Sequence, residues 1–282
     1  MSTIIEKTVG NMEVVLEKYD SANEVAADCA AREMTSTCFN NMRKTTGTNG
    51  NWHGVGSYDE ALELLRTGYQ PTVEKLKKSL KISRTGYSKR IAFENNLTGF
   101  APVVPLAMMS VPNCMIDMHM KPIKAKVLDV YYDMTAAWHV KSEKIIAAGQ
   151  KLLSAIVALE QQGYRFNLYA IQSYTDSNHA YMLSTKVKSS SQPIDLKRIS
   201  FPLTHVAYFR VIGFDWYSKC PKAKYLCGYG TSLLHTLGNG KKRSEFVKKV
   251  FGENATYFSC ADMVETGADE QHITEVLTNG KN

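Results

Sequence analysis

The chain has 282 residues and carries 34 lysines and arginines against 27 aspartates and glutamates, a net charge of +7. Its 44% hydrophobic and 22% charged residues are globular proportions and exclude a disordered, collagen-like or fibrous chain. No apolar run approaches the ~20 residues that span a bilayer, and Met1 to Lys18 lacks the apolar stretch of a signal peptide, so a cytoplasmic protein without a membrane partner is expected.

Residues 1–46 read as a mainly helical region with few breakers, in which Ser21-Ala22-Asn23-Glu24 opens a capped run through Val25, Ala26, Ala27 and Ala30. Thr45 to Asn51 is rich in turn formers and marks a linker. A second unit, residues 47–98, starts with Trp52-His53-Gly54-Val55-Gly56-Ser57. Ser57 and Glu60 have the spacing of a capping box, Leu62, Leu64 and Leu65 supply an apolar face, and Gly68 ends the helix. Trp52 is expected to pack on that helix, with His53 as part of the same anchor. A lysine-rich helix follows Pro71. It begins a basic stretch of Lys75, Lys77, Lys78, Lys81, Arg84, Lys89 and Arg90. Such a stretch reads first as the solvated face of a helix and second as a nucleic-acid contact. Tyr87 is the one aromatic inside it, so no base-stacking platform is evident.

The texture changes at Gly99, where a third unit, residues 99–282, begins. Gly99-Phe100-Ala101-Pro102-Val103-Val104-Pro105 is extended and broken by proline. Met108, Met109, Met115, Met118 and Met120 crowd the next segment. Methionine there reads as buried filler ahead of a soft-metal site or an adaptable contact surface. Lys126 to Asp133 has the β-branched and aromatic content of a strand. Residues 142–160 repeat apolar residues at helical spacing, and Arg165 to Ile171 and Tyr181 to Val187 are two further strands joined by the polar turn Thr175-Asp176-Ser177-Asn178. Strand, helix, strand implies a right-handed crossover, and the short turn makes the third strand antiparallel to the second. A helical region with a break near Pro202 runs from Pro193 to Lys219. Phe246 to Val250 lies on a basic helix, Ala255 to Cys260 is a strand and Glu270 to Leu277 a closing helix. The fold class is therefore α/β, a Rossmann-like mixed sheet flanked by helices behind a mainly helical N-terminal region.

The six cysteines, Cys29, Cys38, Cys114, Cys220, Cys227 and Cys260, include no Cys-x-x-Cys pair and read as reduced, mostly buried thiols. No Gly-x-Ser-x-Gly elbow and no phosphate-binding Gly-x-x-x-x-Gly-Lys-[Ser/Thr] loop occurs. Seven dispersed histidines show no His-x-x-x-His spacing. His139 beside Asp133 is conceivable as an acid–base pair, with an exposed histidine at a helix start as the plainer reading. Asp117 and His119 share a face of an extended segment and, with Asp129, offer a second weak cation motif.

The order of elements after Lys126 resembles a von Willebrand factor A (vWA) domain, whose metal site draws on three loops at the carboxyl ends of its strands. Asp133-Met134-Thr135-Ala136-Ala137 matches the family's Asp-x-Ser-x-Ser with Ala137 in place of the second serine, Gly230-Thr231 matches its second loop, and Asp262 follows the late strand. The resemblance implies Asp133, Thr135, Thr231 and Asp262 around Mg²⁺, with an open position for a carboxylate from an unknown protein partner. The whole chain also resembles an uncharacterised family encoded by tailed phages and prophages, through Trp52-His53-Gly54 to Gly68-Tyr69, Gly99-Phe100-Ala101-Pro102 with Val111-Pro112-Asn113, and Lys126 to Tyr132. That implies a phage protein in the cytoplasm of a bacterial host, with the virion as the other location. The expected function is non-enzymatic binding at the Asp133 crevice. The alternative is a nucleic-acid-binding accessory role for the Lys75–Arg90 cluster.

Overall fold

A computed structural model describes residues 2–33, 50–79, 89–122, 126–175, 178–220, 237–238 and 241–279. The α/β class holds: a six-stranded mixed sheet is accompanied by a separate three-stranded sheet and by helices.

The N-terminal region corrects the helical expectation. Thr3–Val9 (β1) and Met12–Tyr19 (β2) form a hairpin around Gly10-Asn11. Gly10 has φ +64°, a left-handed conformation suited to glycine in a tight hairpin turn. Met12, Val14 and Leu16 alternate with Glu13 and Val15 and are buried along one face, which is the period of a strand. Helix appears only after Ser21, whose hydroxyl accepts the Glu24 N–H at 3.3 Å and starts α1 (Ala22–Ala31). Glu17 sits beneath this corner. It pairs with Arg32 and accepts Trp216 Nε1–H at 2.8 Å. Burial pushes its carboxyl up, but the hydrogen bonds of Arg32 and Trp216 outweigh that and hold it below the ordinary value.

The second unit contributes α2 (Gly50–His53), α3 (Tyr58–Thr67) and α4 (Gln70–Ser79). Ser57 caps α3 as the sequence suggests, accepting the Glu60 N–H at 3.1 Å, and the Glu60 carboxylate accepts the Gly56 N–H at 2.7 Å. Trp52 joins the same apolar cluster as Leu62, Leu64 and Leu65 and reaches further. Its ring stacks on Phe214 with centroids 5.9 Å apart and lies 4.5 Å from the Arg210 guanidinium.

Lys89–Asn96 (β3), Ala101–Pro102 (β4) and Met115–Pro122 (β5) make the small sheet, in the order β3-β5-β4, with α5 (Val104–Met108) between β4 and β5. Val127–Asp133 (β6), α6 (Ser142–Gln161), Arg165–Thr175 (β7) and His179–Lys188 (β8) follow the expected strand, helix, hairpin course. β6 and β7 are parallel, and β8 is antiparallel to β7. β8 is not an edge: β2 pairs parallel to its far side, giving β1-β2-β8-β7-β6-β9, where β9 is Ala255–Ser259, parallel to β6.

Both faces of this sheet are covered. Val130, Tyr132, Phe166, Leu168 and Ala170 pack under α6, α7 (Leu196–Thr204), α10 (Cys260–Thr266) and α11 (Glu270–Asn279). Tyr131, Ile171 and Met182 meet Phe246, Val247 and Val250 of α9 (Lys241–Phe251). The helical break falls at extended His205 rather than at Pro202, which α7 accommodates. A π-helical turn, Tyr208–Gly213, then leads into α8 (Phe214–Lys219).

Gly149 shows how close the cover lies. A Cβ there would stand 2.2 Å from the Leu203 carbonyl oxygen. In an exposed helix Gly→Ala is stabilising by about 1 kcal/mol. Here Gly149→Ala is expected to destabilise by about 1–3 kcal/mol through overpacking, read as a lower urea midpoint. A raised midpoint would mean that α6 and α7 are less tightly apposed than described.

Candidate functional site

In open α/β sheets the crevice outside the carboxyl ends of the strands is where ligands bind, at the point where chain connections diverge. Here that point lies between β6 and β9, because β6 connects through α6 to β7 on its other side. Asp133 is the last residue of β6 and stands opposite Ser259, the last of β9. Asp262 follows in the first turn of α10, which Ser259 caps.

Asp133 is fully buried and accepts from three directions. Its Oδ1 takes the Thr135 N–H at 2.9 Å. Its Oδ2 takes the Tyr257 hydroxyl of β9 at 2.6 Å and the Ser173 hydroxyl of β7. Thr135 is tied back as well, its Oγ1 accepting the Ser173 N–H at 2.8 Å. Burial raises the Asp133 carboxyl above its ordinary value, and the hydrogen bonds of Ser173, Tyr257 and Thr135 recover part of that shift. Tyr257 moves the same way, pushed well up by burial and then by the neighbouring carboxylate.

Of the four residues the vWA resemblance put forward, Asp133 and Thr135 are in mutual contact, Asp262 pairs with Arg243 of α9, and Thr231 lies outside the described residues. Both Asp133 oxygens accept protein donors and Asp262 Oδ2 pairs with Arg243, so a Mg²⁺ ion here would compete with hydroxyl and amide donors at Asp133 and with the guanidinium at Asp262. Among the described residues no group of three or more His, Cys, Asp or Glu side chains is placed to hold a metal ion. His139 is exposed and packs edge-on against Trp138, and it is not among the hydrogen-bond partners given above for Asp133. Asp117 and His119 lie in the small sheet, whereas Asp129 lies in the large one, where it accepts from Asn167 at 2.7 Å.

Three residues that sequence reasoning missed complete the crevice. Ser173 and Tyr257 are the hydroxyl donors, and Arg210 is the clasp. Arg210 is buried in the π-helical turn. It donates to the Trp52 carbonyl at 2.8 Å, to the Val140 carbonyl at 2.8 Å and to the Ala137 carbonyl at 3.5 Å. Burial lowers it to about 10. It thereby joins the Trp52 turn to the loop that follows Asp133. A π-helical turn with an arginine in it was the one local signal, and the sequence disguises it as ordinary helix.

Other reactive groups are quiet. Cys29, Cys220 and Cys260 are buried and Cys114 half-buried, and Cys38 and Cys227 lie outside the described residues. Burial pushes the Cys260 thiol up to about 12, which leaves negligible thiolate at neutral pH. Lys75, Lys77 and Lys78 are exposed on α4, opposite buried Val73 and Leu76. Lys89 and Arg90 are on β3, and Lys81 and Arg84 lie outside the described residues. No helix among the described residues is long and apolar enough to cross a membrane.

A raised carboxyl changes stability with pH in a fixed direction. Between the unfolded value near 3.8 and the higher folded value, the native state holds the extra proton, so stability falls as pH rises through that window. Asp133→Asn removes this dependence. Wild type is expected to lose stability relative to Asp133→Asn as pH climbs from acid to neutral, followed by urea midpoints at each pH. Parallel curves for the two proteins would contradict a raised carboxyl at this position.

No curated protein and no solved structure matches the chain. The description of DUF7192, a domain of unknown function, matches residues 4–279, and on that span the chain belongs to the DUF7192 family.

Proposed function

We propose that this protein is a non-enzymatic binding module whose partner-facing surface is the apolar side of the small sheet. One observation carries the reading: the small sheet leaves its apolar residues in solvent, whereas the large sheet is covered on both sides. Phe93 is 62% exposed, Phe100 65% and Met118 55%, and Leu97, Val104, Met108 and Met109 are exposed around them. The register puts Phe93 opposite Met118 on one face, while Glu94 opposite Asp117 and Ala92 opposite His119 take the other. The Phe93 and Phe100 rings meet edge to face at 6.3 Å. An exposed apolar patch of this kind marks an interaction site, and methionine suits a contact that must adapt to its partner. Met108, Met109 and Met118 thus leave the buried-filler expectation for the contact-surface one.

The engaged Asp133 carboxylate supports the non-enzymatic half of the reading. Asp133 is engaged by its own hydroxyl donors, and the Cys260 thiol is held neutral. The order β8-β7-β6-β9, with β8 alone reversed among the four, favours a vWA-like arrangement, and the phage setting rests on the sequence resemblance alone. The hydrophobic dye bis-ANS is expected to bind the native protein at this face. Replacing Phe93 and Met118 together by serine should remove most of the fluorescence gain and leave the urea midpoint nearly unchanged, as exposed positions do. Equal dye response in both proteins would remove the small sheet from the proposal.

A second reading is favoured by the exposure of Lys75, Lys77 and Lys78 on one side of α4. As a phosphate-binding face they should give retention on heparin that falls steeply with salt. Lys75→Gln, Lys77→Gln and Lys78→Gln together should flatten that slope by about three phosphate contacts. An unchanged slope would leave α4 as a plain solvated helix.

A further inference from the structure

His205 ends α7 in an extended conformation and stands between that helix and the π-helical turn. It is 5% exposed. Its Nδ1 accepts the Ala207 N–H at 3.2 Å, as a cap residue does for an early amide of the helical turn that follows it. A ring nitrogen that accepts carries no proton, so the neutral imidazole holds its hydrogen on Nε2. Both flanks of α3 close on this ring. Before α3, Gly54 comes so near that a Cβ there would stand 3.1 Å from His205 Cε1 and 3.6 Å from Nε2. After α3, the Tyr69 ring lies 4.5 Å away between centroids, and the Tyr69 N–H donates to Ser200 Oγ of α7 at 2.9 Å. Phe201 of α7 stacks on the imidazole at 5.5 Å.

We propose that His205 is an acid-sensitive latch: the neutral ring holds α3 and its flanks, residues 54–69, against α7, and the protonated ring releases them. The latch is independent of the small sheet. A second proton must go to Nδ1, on the lone pair that the Ala207 amide uses. The imidazolium is a donor at both nitrogens, so the buried Ala207 N–H loses its acceptor and meets another N–H instead. The charge itself would be enclosed by Phe201, Tyr69 and Gly54, where desolvation opposes it. The Glu60 carboxylate of α3 acts on the ring in the opposite sense, but it also accepts the Gly56 N–H at 2.7 Å. Tyr69 is the other titratable side chain against the ring, and burial raises its hydroxyl, so it stays neutral. From α7 and the turn beyond it the neighbours are Phe201 and Ala207, which do not titrate. Burial prevails over Glu60 and lowers the imidazole to about 4. Docking of α3 is therefore strongest above the ordinary 6.5 and weakens as pH falls from there toward 4, a dependence opposite in sign to that of Asp133.

Hydrogen exchange of the full chain, corrected for the intrinsic rate at each pH, reads this docking with α6 as the internal reference. Between about pH 7 and about pH 5 the protection of the α3 amides should fall by roughly tenfold or more, while that of α6 changes far less. His205→Asn should abolish the fall, because asparagine does not titrate and its Oδ1 can take the Ala207 N–H. That variant keeps the Tyr58 hydroxyl, which donates to the Asp215 carboxylate at 2.8 Å. A fall that persists in His205→Asn would place the acid response at that pair or elsewhere and overturn the latch. A wild-type α3 whose protection is unchanged, or falls in step with α6, overturns it as well, and that result is read without any variant.

Discussion

Asp133 is the constraint around which the parallel part of the sheet is arranged. A carboxylate withdrawn from water is tolerated only if donors replace the water it loses. Those donors come from three places: the Thr135 amide just beyond β6, the Ser173 hydroxyl on β7 and the Tyr257 hydroxyl on β9. One side chain thereby ties three neighbouring strands at their carboxyl ends. Thr135 doubles the link to β7 by accepting the Ser173 amide.

Arg210 gives the same region its second fastening. Its two terminal nitrogens donate to carbonyls of the Trp52 turn and of the loop after Asp133, with the Trp52 ring beneath the guanidinium. Fixed donor geometry makes arginine suited to such multiple carbonyl contacts. The place where this architecture ordinarily receives a ligand is in this way occupied by the protein's own side chains. The small sheet differs: Phe93, Phe100 and Met118 are exposed, whereas helices cover the large sheet on both faces.

Much of the fold was legible because its signals are local. The helix at 142–161 repeats apolar residues every three or four positions, β6 and β7 carry β-branched and aromatic residues, and Ser57 with Glu60 announces a helix start. The N-terminal hairpin is marked only by Gly10-Asn11 and the alternation of Met12, Val14 and Leu16. Glu6, Lys7, Glu13, Glu17 and Lys18 spread charge along the segment, which resembles a polar helix when the period is not counted. The exposure of the methionines is hidden from the sequence for a different reason. Met108 and Met118 are apolar by composition, and only the lack of a covering layer leaves them in solvent.

What the chain alone determined was most of the elements after Lys126 and the capped helix after Ser57, because periodicity, caps and turn residues act over a few positions. It also marked Asp133 and Asp262 as residues at strand ends. Folding alone decided that Asp133 would be met by Ser173 and Tyr257, that Asp262 would be held by Arg243, and that Arg210 would reach Trp52. Those partners are separated by long stretches of chain, and no local propensity encodes which strand lies beside which. The strand order settles it, since hydrogen bonds to a buried charge can form only where tertiary packing delivers the donors.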